Sequence, residues 1–172
     1  MSPMRSFVRC IVIVAALAAL TSCRKPAKQT RVDISDAPNR KESPLALDGA
    51  KILLDKGGAY DRLCSSLPNG GRSTSKGASP CIDHHFYVFP VVPQATTTAT
   101  SVPAWVTCRH SEKSLAECEQ WMRAYTGAIA GAVTIRISVS GGSGWDDAAR
   151  DASTRFGLQL VAGAPVLVLG GP

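Results

Sequence analysis

The chain has 172 residues, 45% of them hydrophobic but only 6% aromatic, and a net charge of +6. That suits one globular domain built on Ala, Val, Leu and Ile rather than on aromatic rings. The charge is not a nucleic-acid footprint: Arg5 and Arg9 hold part of it, residues 24–42 carry six cations against Asp33, Asp36 and Glu42, and residues 43–172 keep a net of only +1, too little to follow a phosphate backbone.

Residues 1–22 have the layout of an export signal. Arg5 and Arg9 form a positive start, Cys10 to Leu20 is an unbroken apolar run, and Leu20-Thr21-Ser22-Cys23 follows. The run has 11 residues, well short of the roughly 20 that a helix needs to cross a bilayer, so it reads as a removable signal core. The Leu-Thr-Ser-Cys step resembles the lipobox of bacterial lipoproteins. That resemblance covers only residues 1–23. It implies a thioether-linked lipid on Cys23, cleavage just before it, and a periplasm-facing domain in the cell envelope. Several acyl chains give stable attachment where one chain is marginal. In that family an Asp after the lipidated Cys retains the protein at the inner membrane; Arg24 stands there instead, which slightly favours the outer membrane. The basic excess of residues 24–42 sits where anionic lipid would be.

Residues 23–44 are polar and interrupted by Pro, with no periodic apolar face, and are expected to form a flexible lipidated tether. The globular domain is then expected over 45–172. Residues 45–67 are helical in composition, and Gly57-Gly58 splits them into two short predicted helices. Residues 68–80 are a Gly/Ser-rich loop. His85 to Val92 is rich in aromatic and β-branched residues and predicts a strand that Pro90 pushes toward an edge or a bulge. A loop at 94–101 and a short strand at 104–109 follow. Ser114 with Glu117 resembles a capping box; Leu115, Cys118, Met122 and Tyr125 then share one helical face, with Gly127 as a stop. Val133, Ile135, Ile137 and Val139 alternate with polar residues and predict a strand with one buried face. Trp145, Ala148, Ala149, Ala152 and Phe156 line a second helix ended by Gly157, and 158–161 and 166–169 are closing strands. The order implies an α+β or α/β class: one small domain, a mixed sheet with two to four helices, stabilised by disulfides.

Four cysteines remain in the expected domain, Cys64, Cys81, Cys108 and Cys118. An even number in an oxidising compartment reads as two disulfides. Three connectivities are open, of which Cys64–Cys81 with Cys108–Cys118 is favoured. The alternative use of these thiols is a zinc site, since all three histidines lie in Cys81-Ile-Asp83-His84-His85 and Cys108-Arg-His110; the close spacings are unlike zinc fingers, and no metal or cofactor is expected. Asp83-His84-His85 is similar to the motif naming a phosphoesterase family, but the further acidic and His motifs of those enzymes are missing. Gly141-Gly142-Ser143-Gly144-Trp145 stands between strand and helix as a hydrolase nucleophile does, yet Trp145 occupies the place of the second Gly. Ser143 is therefore read as a helix N-cap with Asp146 and Asp147 at the positive helix end, and no catalytic residue is assigned. The leading functional reading is a non-enzymatic binding or accessory lipoprotein, such as an immunity protein or an assembly subunit. Its partners would be membrane lipid through Cys23 and a protein of the envelope, not nucleic acid. A small periplasmic hydrolase or metal-dependent enzyme, and a purely structural lipoprotein, are the alternatives.

Overall fold

The computed structural model describes residues 28–63, 82–98, 100–108 and 114–169. In chain order the strands and helices are β1 (Thr30–Asp33), β2 (Leu45–Asp48), β3 (Ala50–Ile52), β4 (Gly58–Leu63), β5 (Ile82–Pro93), β6 (Ser101–Val102), β7 (Ala104–Thr107), α1 (Leu115–Ala124), β8 (Ala130–Arg136), α2 (Gly144–Phe156), β9 (Gln159–Leu160) and β10 (Pro165–Leu169). Short 3-10 helices occupy Ile34–Asn39 and Leu54–Lys56. This is the expected class, a small single domain with a mixed sheet and helices.

The strand order is β1-β2-β8-β10-β7-β5, and β3 and β4 share the far edge of β5. The pairs β1/β2 and β7/β10 are parallel and the other pairs of this sheet are antiparallel. β6 and β9 form a small parallel ribbon beside it. Alternation along the strands sorts the core into two faces. Tyr87, Phe89 and Val91 of β5, Val106 of β7 and Leu167 of β10 are buried on the face covered by Cys118 and Met122 of α1. Phe86, Val88, Trp105 and Val166 point the other way, onto Ala148, Ala149 and Ala152 of α2. Val32, Leu45 and Leu47 join the first set, and β2 runs into β3 through Gly49 alone, so the sheet curls its two ends together over this core with α1, while α2 covers the other face.

Pro90 is not at an edge. β5 is paired on both sides, with Pro90 opposite Trp105 of β7. The proline is accommodated because β3 and β4 leave a gap where the Leu54–Lys56 turn lifts away. Within a strand, a residue's nitrogen and carbonyl oxygen point to the same side. The Pro90 carbonyl faces that gap and accepts the Leu53 N–H at 2.9 Å. The missing N–H thus falls where the ladder is already broken.

Four further expectations are corrected. Residues 30–39 belong to the domain rather than to a tether: β1 pairs with β2, and Val32, Ile34 and Ala37 are buried. Arg136 locks this segment down, donating to the carbonyls of Ala37 (3.2 Å) and Gly163 (3.0 Å). Residues 45–67 do not form two helices; as far as residue 63 they form β2, β3, a 3-10 turn and β4, because pairing with β1, β8 and β5 outweighs helical propensity. The alternating strand ends at Arg136 rather than Val139, and Val139 is 59% exposed. The first α-helix also stops early, with Tyr125 rather than Gly127 at its C-terminal cap.

Candidate functional site

The β4–β5 ladder gathers aromatic, cationic and imidazole side chains on two faces. The register sets Tyr60 opposite Phe86, Asp61 opposite His85 and Arg62 opposite His84. On the α2 face Phe86 is the buried centre. Trp145, at the start of α2, meets its ring edge-on at 5.0 Å between centroids. His84 lies at 4.7 Å and Tyr60 at 6.3 Å, and the Arg62 guanidinium stands 5.9 Å from the Phe86 centroid. Gly144 makes the approach of α2 possible, since a Cβ there would lie 2.2 Å from the Phe86 ring. Phe86 itself is 6% exposed, whereas Tyr60 is 37% exposed. Arg62 is exposed, and His84 and Trp145 are half-buried. The result is a rim of Tyr, Arg, His and Trp around a buried apolar centre, and Tyr, Arg and Trp are the residue types enriched among those that supply most binding energy at protein interfaces.

On the opposite face the Asp61 carboxylate meets His85 Nδ1 at 2.7 Å, and the His85 ring stacks on Tyr87 with centroids 6.0 Å apart. Burial, with the nearby charges of Asp61 and Glu117, raises the Tyr87 phenol above its ordinary value, so this hydroxyl stays protonated.

The two helix N-termini are built as capping boxes. Ser114 and Glu117 exchange bonds at the start of α1. At α2, Ser143 Oγ accepts the Asp146 N–H at 3.1 Å, and Asp146 Oδ2 accepts the Ser143 N–H at 3.0 Å. The other Asp146 oxygen accepts the Ser138 N–H at 2.9 Å, so this buried carboxylate also ties the helix to the end of β8. Ser143 is thus engaged as a cap, and the Asp61–His85 pair lies across the sheet from α2. The Ser143→Asn and Ser143→Asp variants should keep the wild-type melting temperature within error, whereas Ser143→Ala should cost about 1 kcal/mol. Thermal unfolding of the three variants checks this, and an Asn or Asp variant as unstable as the Ala variant would remove the capping role.

Of the cysteines, Cys108 and Cys118 form a disulfide with their Cα atoms 5.7 Å apart, joining the end of β7 to α1. Cys23, Cys64, Cys81 and His110 lie outside the described residues. The Cys108 thiol is consumed by the bridge, and His84 and His85 stand on opposite faces of β5. Among the described residues no group of three or more His, Cys, Asp or Glu side chains is arranged to hold one. The antiparallel register pairs Leu63 with Ile82, the residues that adjoin Cys64 and Cys81 in the sequence. Non-reducing peptide mapping should therefore find a 64–81 crosslink; a 64–108 or 81–118 peptide would refute the pairing.

Two clefts lie away from the rim. One of about 390 Å³ is lined by hydroxyls and prolines, among them Ser35, Pro38, Thr96 and Thr98. The other, of about 320 Å³, lies between the helices and contains Phe89, Arg123 and Arg155. There Arg123 pairs with Glu119 and Arg155 with Asp151, so each guanidinium is held by the acid one turn before it. No family model, curated protein or solved structure matches the chain.

Proposed function

We propose that this chain is an envelope lipoprotein, anchored through an acylated Cys23, whose domain binds a protein partner and performs no catalysis of its own. The observation that carries the binding role is the Tyr60–Arg62–His84–Trp145 rim packed around Phe86. Its centre is prepacked, so docking there orders few side chains and loses little conformational entropy. The Leu20-Thr21-Ser22-Cys23 step supports the anchor. Among the described residues no helix is long and apolar enough to cross a membrane.

The test is a photo-crosslinking amino acid placed at Tyr60 in the full-length protein in living cells, with a control at the exposed Val139. A discrete protein adduct at residue 60 and not at 139 is the expected result, and Trp145→Ala should weaken its formation at least tenfold, as loss of a central aromatic anchor does (about 2 kcal/mol). Equal adducts at both positions, or none at residue 60, would reject the rim as the binding face. Mass spectrometry of the mature N-terminus tests the anchor separately: any first residue other than an acylated Cys23 rejects it.

A further inference from the structure

Two residues of the rim, Tyr60 and Arg62, stand on a strand whose second side is unpaired. Among the described residues β4 pairs only with β5. Along β5 the Pro90 carbonyl faces the β3/β4 side, where it accepts the Leu53 N–H. Main-chain groups alternate between the two sides of a strand from residue to residue, so Val88, Phe86 and His84 face that side as well. Their ladder partners Gly58, Tyr60 and Arg62 therefore bond toward β5, and Ala59 and Asp61 turn their N–H and C=O groups away from it. The Ala59 N–H agrees with this parity: it is taken not by β5 but by the Asp151 carboxylate of α2, at 3.1 Å. Asp151 thus closes one end of the outer side. Past it, the Ala59 C=O and both main-chain groups of Asp61 have no partner among the described residues. Tyr60, Asp61 and Arg62 are all exposed, so another chain can reach this side. An unpaired strand side is a template for one more strand, and charged side chains along it reject indiscriminate pairing.

We propose that the partner docks by adding an extended segment to the outer side of β4, with main-chain hydrogen bonds to Asp61 and side chains laid against the rim. The inference rests on the rim as the binding face and names what binds there. The added strand runs antiparallel to β4, the more stable pairing per residue. Its residue opposite Asp61 shares the Asp61 face, and the residues before and after it stand opposite Arg62 and Tyr60. Cross-strand neighbours favour opposite charges and aromatic contacts. The segment therefore carries a basic residue opposite Asp61, preceded by an acid opposite Arg62 and followed by an aromatic or β-branched residue opposite Tyr60.

The test compares two substitutions at one position. Asp61→Pro removes the outward N–H and puts a ring in its place, a change that an edge strand tolerates on its free side. Asp61→Ala keeps the N–H and loses only the carboxylate. With the photo-crosslinker at residue 60 of the full-length protein in cells, the Ala variant should keep the partner adduct within about fivefold. The Pro variant should form at least about tenfold less adduct than the Ala variant. Equal adducts in the two variants would overturn strand addition and leave the rim standing. No adduct at residue 60 without either substitution would overturn the rim, and this inference with it. Amide hydrogen exchange of the purified full-length protein decides the matter even if the Pro variant does not fold. The Asp61 N–H should exchange at least about a hundredfold faster than the ladder-bound N–H groups of Tyr60 and Arg62. Equal protection of the three would mean that the outer side of β4 is already occupied, and would overturn the proposal.

Discussion

Gly58→Ala should cost about 3 kcal/mol of stability, the upper part of the range for overpacking a close-packed site. A single methyl is added, yet a Cβ at residue 58 would lie 2.1 Å from the Ala148 carbonyl oxygen and 2.8 Å from the Ala152 Cβ. Both obstacles belong to α2, one of them backbone, so no rotamer change relieves the overlap. The helix would have to rise from β4, and Ala148, Ala149 and Ala152, all fully buried, would lose their contacts together. Gly49→Ala is the matched control. Gly49 has open space around its Cβ position but a φ of 62°, so the cost there is the left-handed backbone alone, about 1 kcal/mol. Denaturant unfolding of the two variants should rank Gly58→Ala well below Gly49→Ala. The reverse ranking would mean that α2 does not rest on β4 as closely as described.

Loss of the Cys108–Cys118 bridge should be nearly as damaging. The bridged residues are 10 positions apart, and a loop of that size contributes a little under 3 kcal/mol by the chain-entropy relation. Cys118 is also fully buried in the α1-side core beside Met122. Cys108→Ala and Cys118→Ala should therefore both lower stability by about 2 to 3 kcal/mol, and Cys118→Ala should be the worse of the two because it also empties core volume. The double variant should be no less stable than Cys118→Ala alone, since the crosslink can be lost only once. Additive losses in this cycle would show that the bridge is not the shared cause.

Local signals in the sequence translated well into structure. Ser114 with Glu117, and Ser143 ahead of Asp146, announce helices that begin where expected, because capping is decided within one turn of chain. The β-branched and aromatic run around residues 85–92 likewise becomes the centre of β5. Segments whose state depends on distant partners did not read correctly. Leu45-Ala-Leu-Asp and Ala-Lys-Ile-Leu-Leu are good helix formers, yet Leu45 and Leu47 are buried in a strand between β1 and β8. Leu45, Ala46 and Leu47 are all buried, so no alternation marks this segment as a strand. In the segment expected to be a tether, Val32, Ile34 and Ala37 are the apolar residues that the folded edge buries, too few to stand out from a polar stretch. The rim had no linear signature at all. Trp145 reads merely as a helix-face residue, and its meeting with Tyr60 and Phe86 depends on a strand register and a helix docking that join positions far apart in the chain.

The position of β10 has a consequence for biogenesis. It lies between β8 and β7, yet it follows every other described strand in the chain. Until Pro165–Leu169 is available, no strand pairing joins β1, β2 and β8 to β7, β5, β3 and β4; only the chain itself links them, most closely through Gly49 between β2 and β3. Pairings of such high sequence separation form slowly, because loop closure must precede the contacts that reward it. The late central strand thus acts as a keystone: the full sheet can close only once Pro165–Leu169 has been made.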